Sequence, residues 1–309
     1  MDDTIAAIRE RIATVYFGSP SAIDSLLCCV LARGHLLLED VPGVGKTALA
    51  SAAARAIGGE FRRIQMTSDL LPADIIGVSV YQATESDFRF IPGPVFANVV
   101  IADEINRAPP RTQSALLEAM NEAAVTVDGR TYRLDEPFVV IATQNPAEYH
   151  GTYPLPESQL DRFLIRTAIG YPEPETEARI IGSYRGPNAA GSLEAAASLE
   201  QVRALQAATD ETHLAPELAA YIQELAQRSR THDDIAVGLS TRGALAVTRV
   251  AKASARLGGR DYVTTDDITD HFLQVAAHRM IVRGIHDAQD HTAAEDAARS
   301  LIQAVQLPV

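Results

Sequence analysis

Cysteine is nearly absent from this chain of 309 residues, and its two copies, Cys28 and Cys29, are neighbours. Adjacent cysteines make a poor structural disulfide, so reduced, buried thiols in a cytoplasmic protein are the expectation. Basic residues are in deficit: 27 Lys and Arg against 40 Asp and Glu leave a net charge of −13. That balance argues against bulk attraction to nucleic acid or to an anionic membrane, leaving only a local basic surface. No apolar run approaches the length of a membrane span, and Met1-Asp2-Asp3 is an acidic start. Internal repeats and low-complexity tails are missing too. What the chain does have is apolar residues, 47% of the total, enough for the core of one large domain or two smaller ones.

Ile5, Ile8, Ile12 and Val15 recur at helical spacing and predict an amphipathic helix ending near Gly18. A second helix, capped by Ser21, carries Leu26, Leu27, Val30 and Leu31 and stops at Gly34. The apolar run from Leu36 then leads into a Gly-rich turn and an Ala-rich helix closed by Gly58-Gly59. Phe61 to Met66 reads as a short strand, Leu70 to Gly77 as a helix or turn. Val78 to Val95 reads as an inserted hairpin with a polar tip at residues 84–87. Asn98 to Ala102 is a buried strand, and Pro109-Pro110 suits the start of the helix lined by Leu116, Leu117 and Met120. Val125 to Tyr132 turns at Asp128-Gly129, a strong hairpin signal, and Phe138 to Thr143 is another buried strand. Tyr171-Pro172-Glu173-Pro174 breaks the chain, and the remainder reads as helix and loop. A boundary near 171 divides it into residues 1–170 and 171–309, the second part holding a flexible loop at Gly186 to Ser192.

The segment Asp40, Val41, Pro42, Gly43, Val44, Gly45, Lys46, Thr47 and Ala48 joins strand to helix in the order that a phosphate-binding loop requires. Its glycines let backbone N–H groups point into one concavity, and the helix N-terminus adds positive potential. Lys46 is placed to reach the β- and γ-phosphates, and Thr47 to offer its hydroxyl to Mg²⁺. One departure stands out: Asp40 occupies the position of the first glycine of G-x-x-x-x-G-K-[ST]. Asp103 and Glu104 end an apolar strand, where open parallel sheets bind ligands. Asp103 can hold Mg²⁺ and Glu104 can polarise an attacking water, which favours water over a metabolite as phosphoryl acceptor.

Asn145, in Ile141-Ala142-Thr143-Gln144-Asn145-Pro146, can hold the lytic water or the γ-phosphate, although Asn-Pro is also an ordinary turn. Arg162, in Leu160-Asp161-Arg162-Phe163, either pairs with Asp161 or Glu157, or projects into the next subunit's nucleotide site as an arginine finger. Arg242 opens a helix at Ser240-Thr241-Arg242, where a cation opposes the dipole, so contact with nucleotide is a reason for it. Arg107 and Arg111 flank the acidic strand end and read as solvated charges, or as groups facing a neighbour. The eight histidines show no repeated ligand spacing.

Together, Glu39 to Thr47, Ala102 to Pro109, Gln113 to Met120, Ala142 to Pro146 and Leu160 to Phe163 resemble the MoxR type of AAA+ ATPase over nearly the whole chain. The resemblance implies an α/β P-loop core with a parallel five-stranded sheet between helices, then a smaller all-α lid. It implies ATP and Mg²⁺, with Lys46 and Thr47 in Walker A, and Asp103 and Glu104 in Walker B. It further implies Asn145 as sensor 1, Arg162 as arginine finger and Arg242 as sensor 2, with the Val78 to Val95 segment as helix-2 insert and the Asp128-Gly129 turn in the pre-sensor-1 hairpin. Such proteins form rings, usually hexameric, and many work with a von Willebrand factor A domain partner on a protein client. Two alternatives stand beside an ATP-driven remodeller. One is the motor subunit of a metal chelatase or nucleic-acid translocase, the latter disfavoured by the acidic balance. The other is a nucleotide-gated scaffold with little turnover.

Overall fold

Two helices, α1 (Asp2–Ala13) and α2 (Pro20–Leu31), precede the first strand, β1 (Leu36–Glu39), which leads into α3 (Lys46–Ala56). Next come β2 (Phe61–Gln65), α4 (Pro72–Ile76) and the antiparallel hairpin β3 (Gly77–Gln82) with β4 (Asp87–Pro92). Strand β5 (Val99–Asp103) is followed by α5 (Pro110–Glu122), the hairpin β6 (Ala124–Val127) and β7 (Arg130–Arg133), and β8 (Val139–Gln144). A short helix, α6 (Glu157–Leu160), enters β9 (Ile165–Thr167). Beyond it lie α7 (Pro174–Ser183), α8 (Leu199–Asp210), α9 (Pro216–Thr231), β10 (Ile235–Val237), α10 (Thr241–Leu257), α11 (Thr265–Ala276), β11 (Ile281–Val282) and α12 (Thr292–Ala304). This computed structural model describes residues 2–84, 86–145, 151–183, 193–284 and 292–307. Outside the described residues lie Glu85 of the hairpin tip, Pro146 of the sensor segment, the Gly186 to Ser192 loop, and His150, His286 and His291.

Five strands form one parallel sheet in the order β2-β5-β8-β1-β9. Every residue of β5 and β8 is buried, as befits central strands covered on both faces, whereas β2, at the edge of the sheet, leaves Arg62, Arg63 and Gln65 exposed. Side chains alternate across the sheet, so two apolar clusters form. Leu36, Leu38, Val99, Ile101, Val139 and Ile141 face α1 to α3 and run on into the helices beyond residue 193. Leu37, Val100, Ala102, Val140 and Ala142 face α5. Each fully buried leucine of β1 contributes about 1.5–3 kcal/mol relative to exposure. From Ala50 to the last turn the alanines of α3 are buried, and their small side chains let that helix lie close against the sheet.

Most elements fall where periodicity puts them, with three differences. Helix α1 stops at Ala13, not near Gly18, and leaves Val15 outside it. Helix α2 starts at Pro20 with Ser19 as its cap residue, not at Ser21, because proline suits the first helical position. The part beyond residue 171 is helical, but it carries one short antiparallel ribbon, β10 with β11, that no alternation announced. The Asp128-Gly129 turn has positive φ at both residues, 50° and 74°, as a two-residue hairpin turn demands. Phe90 of β4 stacks on Tyr132 of β7 at 4.0 Å between ring centroids, locking the two hairpins together.

Candidate nucleotide-binding site

Strand order decides what can meet at the C-terminal edge of the sheet. With β5, β8 and β1 side by side, the turn after β1, the acids ending β5 and the amide after β8 all open on one crevice. A cavity of about 320 Å³ lies there, lined by Lys46, Thr47, Asp103, Glu104, Thr143 and Asn145, with Asp40, Pro42, Gly43, Gly45 and Ala48 along the loop. Gly43 and Gly45 both have φ of 91°, a conformation that side-chain-bearing residues rarely adopt. Gly45 caps α3, so the N-terminus of that helix opens on the cavity.

Lys46 Nζ donates to the Asp40 carbonyl oxygen at 2.6 Å. Burial lowers the pKa of its amine, while Asp40, Asp103 and Glu104 act in the opposite direction. Glu104 takes a left-handed conformation, φ 58°, and its N–H donates to Thr143 Oγ1 at 2.9 Å. The Thr143 hydroxyl donates in turn to Asp103 Oδ1 at 3.3 Å. Thr47 and Asp103 bring a hydroxyl and a carboxylate oxygen to one cavity, a hard-oxygen donor set that fits Mg²⁺.

Asp40 has a role of its own. Its Oδ2 accepts the N–H of Ile169 at 2.5 Å and of Gly170 at 2.8 Å, and its Oδ1 accepts that of Val41 at 3.0 Å. An acid in place of the first glycine therefore ties the loop to the segment leading out of β9. Val41 lines neither this cavity nor its neighbour.

The neighbouring cavity, about 310 Å³ and mainly apolar, shares Pro42, Gly43, Gly45 and Ala48 with the first. Val44, Tyr16, Phe17, Ile169, Ile180 and Ile181 line it, a setting for a flat heterocyclic base beside the phosphate loop. Tyr16 packs against Gly45, and burial together with the Asp40 carboxylate pushes its phenol up to about 12. Nothing in the spacing of residues 15–18 marks them as site residues; only the fold brings them to the loop.

Arg162 and Arg242 are elsewhere. Arg162 Nη1 donates to the Leu117 carbonyl oxygen at 2.7 Å. Arg242 lies 3.5 Å from Asp161 Oδ2 and donates to Asn121 Oδ1 at 3.3 Å. Both line a third cavity of about 340 Å³ with Arg33, Arg249 and Arg279. Contact between Arg242 and its own protomer's phosphate loop is not the arrangement seen, because the start of α10 packs beside the end of α5 and the 161–164 turn. Arg107 is exposed, as a solvated charge would be, and also donates to Glu104 Oε2 at 2.9 Å. Arg63 and Gln65 of β2 also reach the acid pair, and neither was singled out from sequence.

The family model of the "ATPase family associated with various cellular activities (AAA)" matches residues 35–165, and that of the "AAA lid domain" matches 227–300. The chain is 44% identical to uncharacterized protein YeaC of Bacillus subtilis, spanning 97% of this chain and 93% of that one. It is 39% identical to chaperone MoxR1 of Mycobacterium tuberculosis, over 96% and 81% of the two chains. With protein MoxR of Methylorubrum extorquens the identity is 30%, over 99% and 96%. A crystal structure of a candidate ATPase from Cytophaga hutchinsonii superposes with a TM-score of 0.90 at 35% identity, covering 100% of this chain and 96% of that one.

Proposed function

Since the chain belongs to the MoxR-type AAA+ ATPases, we propose that it hydrolyses ATP to ADP and phosphate within a ring of its own copies and uses that turnover to remodel a protein client. One observation carries the chemistry: Lys46, Thr47, Asp103, Glu104 and Asn145, from three different strand ends, line a single cavity. In this reading the loop N–H groups and Lys46 bind the β- and γ-phosphates, and the apolar cavity beside them takes the adenine. Thr47 and Asp103 are the oxygen donors for Mg²⁺, which supplies positive charge to the phosphate oxygens when bound. Glu104 accepts a proton from the attacking water, and Asn145 holds that water or the terminal phosphate. Arg162 completes the site of the adjacent subunit. Arg242, in the same cavity as Arg162, acts there too and not on its own nucleotide.

A hexamer, a von Willebrand factor A domain partner and a cytoplasmic setting complete the proposal, on the strength of the family and of the chaperone role named for the Mycobacterium relative. Among the described residues no helix is long and apolar enough to cross a membrane. Division near residue 171 belongs to the same proposal, with Asp40 gripping the last residues before it.

The test is Glu104→Gln. Binding of a fluorescent ATP analogue is expected to stay within about threefold of the parent while phosphate release falls by about 10²-fold or more, the scale of a lost general base. Undiminished phosphate release removes Glu104 from the mechanism. A parent protein that binds ATP without measurable turnover favours the nucleotide-gated scaffold instead.

A further inference from the structure

Asp103, the carboxylate assigned to the metal, already has a cation on it. Arg63 Nε donates to Asp103 Oδ2 at 2.6 Å, and Arg63 Nη2 donates to Gln65 Oε1 at 3.3 Å. Strand register explains the meeting. Gln65 lies opposite Asp103 and Arg63 opposite Ile101, so alternation puts all four side chains on one face of the sheet. The exposure of the partners is unequal. Arg63, on the edge strand, has 54% of its side chain exposed, whereas Asp103 has 11%. The arginine can leave; the carboxylate cannot follow it.

The remaining charges show why a cation is needed there. Asp103 and Glu104 are adjacent acids facing one cavity. Lys46, the other cation of that cavity, is held by the Asp40 carbonyl oxygen. Glu104 is covered from its own side by Arg107, and Gln65 Nε2 donates to the same Oε2 at 3.3 Å. Arg63 therefore compensates Asp103 when no other cation does. A short charge-assisted bond to Oδ2 occupies the lone pair that a divalent ion would use, and two cations on one carboxylate repel each other.

We propose that Arg63 and Mg²⁺ compete for Asp103: the guanidinium guards the carboxylate in the nucleotide-free protein and is released into the phosphate cavity when the metal–nucleotide complex binds. Arg63 lines that cavity, so the displaced cation remains beside the incoming phosphates. This rests on the proposal that Asp103 is the metal ligand, and the test separates the two.

The experiment is equilibrium binding of a fluorescent ATP analogue across a Mg²⁺ titration, for the parent, R63A, R63K and D103N. Arg63 is half-exposed on an edge strand, so R63A leaves the core untouched. R63A is expected to reach half-maximal Mg²⁺-dependent binding at about two- to fivefold lower Mg²⁺, the scale of an exposed ion pair removed from competition. R63K, which keeps the charge, is expected within about twofold of the parent. D103N is expected to raise the midpoint by at least about tenfold. An unchanged or raised midpoint in R63A, with D103N raised, overturns the competition and leaves the metal assignment standing. An unchanged midpoint in D103N removes the metal assignment, and the competition with it.

Discussion

Arg242 lies 3.5 Å from the carboxylate of Asp161, the residue immediately before Arg162. The same carboxylate accepts Arg279 Nε at 2.9 Å, and Arg279 also donates to the Phe163 carbonyl oxygen at 2.6 Å. Two arginines from the helices beyond residue 171 thus hold the turn that presents Arg162. Neither Arg162 nor Arg242 lines the phosphate cavity of its own protomer.

The first prediction comes from that placement. Arg162→Ala and Arg242→Ala are expected to bind ATP as the parent does, while turnover in Arg162→Ala falls by about 10³-fold, the lower range for an arginine finger. Mixing Arg162→Ala subunits with Lys46→Ala subunits should restore turnover, because the latter cannot hydrolyse but carry intact Arg162 and Arg242. Mixtures no more active than the sum of their parts would place Arg162 outside the chemistry of a neighbour.

Asp40 makes a prediction with opposite signs. Its carboxylate accepts three backbone N–H groups, two of them from Ile169 and Gly170, yet it also lines the phosphate cavity, where a negative charge opposes the ligand. Asp40→Asn weakens the bonds and removes the charge. Stability measured by urea unfolding is expected to fall by about 1–2 kcal/mol, since bonds to a charged acceptor become neutral ones. Nucleotide affinity is expected to hold or rise. If both fall together, the carboxylate supports the pocket and does not merely clasp the segment behind it.

A third prediction concerns Arg166, whose side chain is only 5% exposed. It lies 3.6 Å from Glu39 at the end of β1 and 3.2 Å from Glu295 on α12, joining the sheet to the last helix. Arg166→Met takes a buried guanidinium away from the largely buried Glu39 carboxylate, and a loss of about 3 kcal/mol is expected. Glu295→Gln, at the exposed end, is expected to cost no more than about 1 kcal/mol. Comparable losses from the two changes would mean that the exposed pair carries the contact.

The loop from Asp40 to Thr47 was legible because its chemistry is contiguous: strand, glycines, lysine and hydroxyl succeed one another within a few residues. Asp103, Glu104 and Asn145 were legible because each ends an apolar strand long enough to be recognised. Arg63 was not, since a charge on a short edge strand looks solvated until register puts it diagonally across from Asp103. The location of Arg242 was not either, because helix capping places Ser240 at the start of α10 but says nothing of what that end faces. Strands of three and two residues, Ile235–Val237 and Ile281–Val282, are too short to show alternation.

The last prediction is a pH dependence with a single buried source. His35 Nδ1 accepts the N–H of Val140 at 3.0 Å, so its proton sits on Nε2, which donates to the Met120 carbonyl oxygen at 2.9 Å. Both nitrogens are satisfied in the neutral ring, and protonating Nδ1 would break the bond to Val140. Burial lowers the pKa from 6.5 to about 4; the bond to Met120 opposes the shift and nearby Arg249 adds to it. Well above pH 6.5 the ring is neutral in both folded and unfolded chains and adds no pH dependence. Between the two values the unfolded chain takes up a proton that the folded one refuses, so stability falls as pH falls. Integrating over that window gives a loss of about 2 kcal/mol between about pH 7 and pH 5. His35→Gln, whatever it costs outright, lacks the titrating group, so the difference between its urea-unfolding curve and the parent's should shrink by about that amount over the same interval. A difference that stays constant from about pH 7 to pH 5 would show that the ring takes up its proton in the folded protein as readily as in the unfolded one.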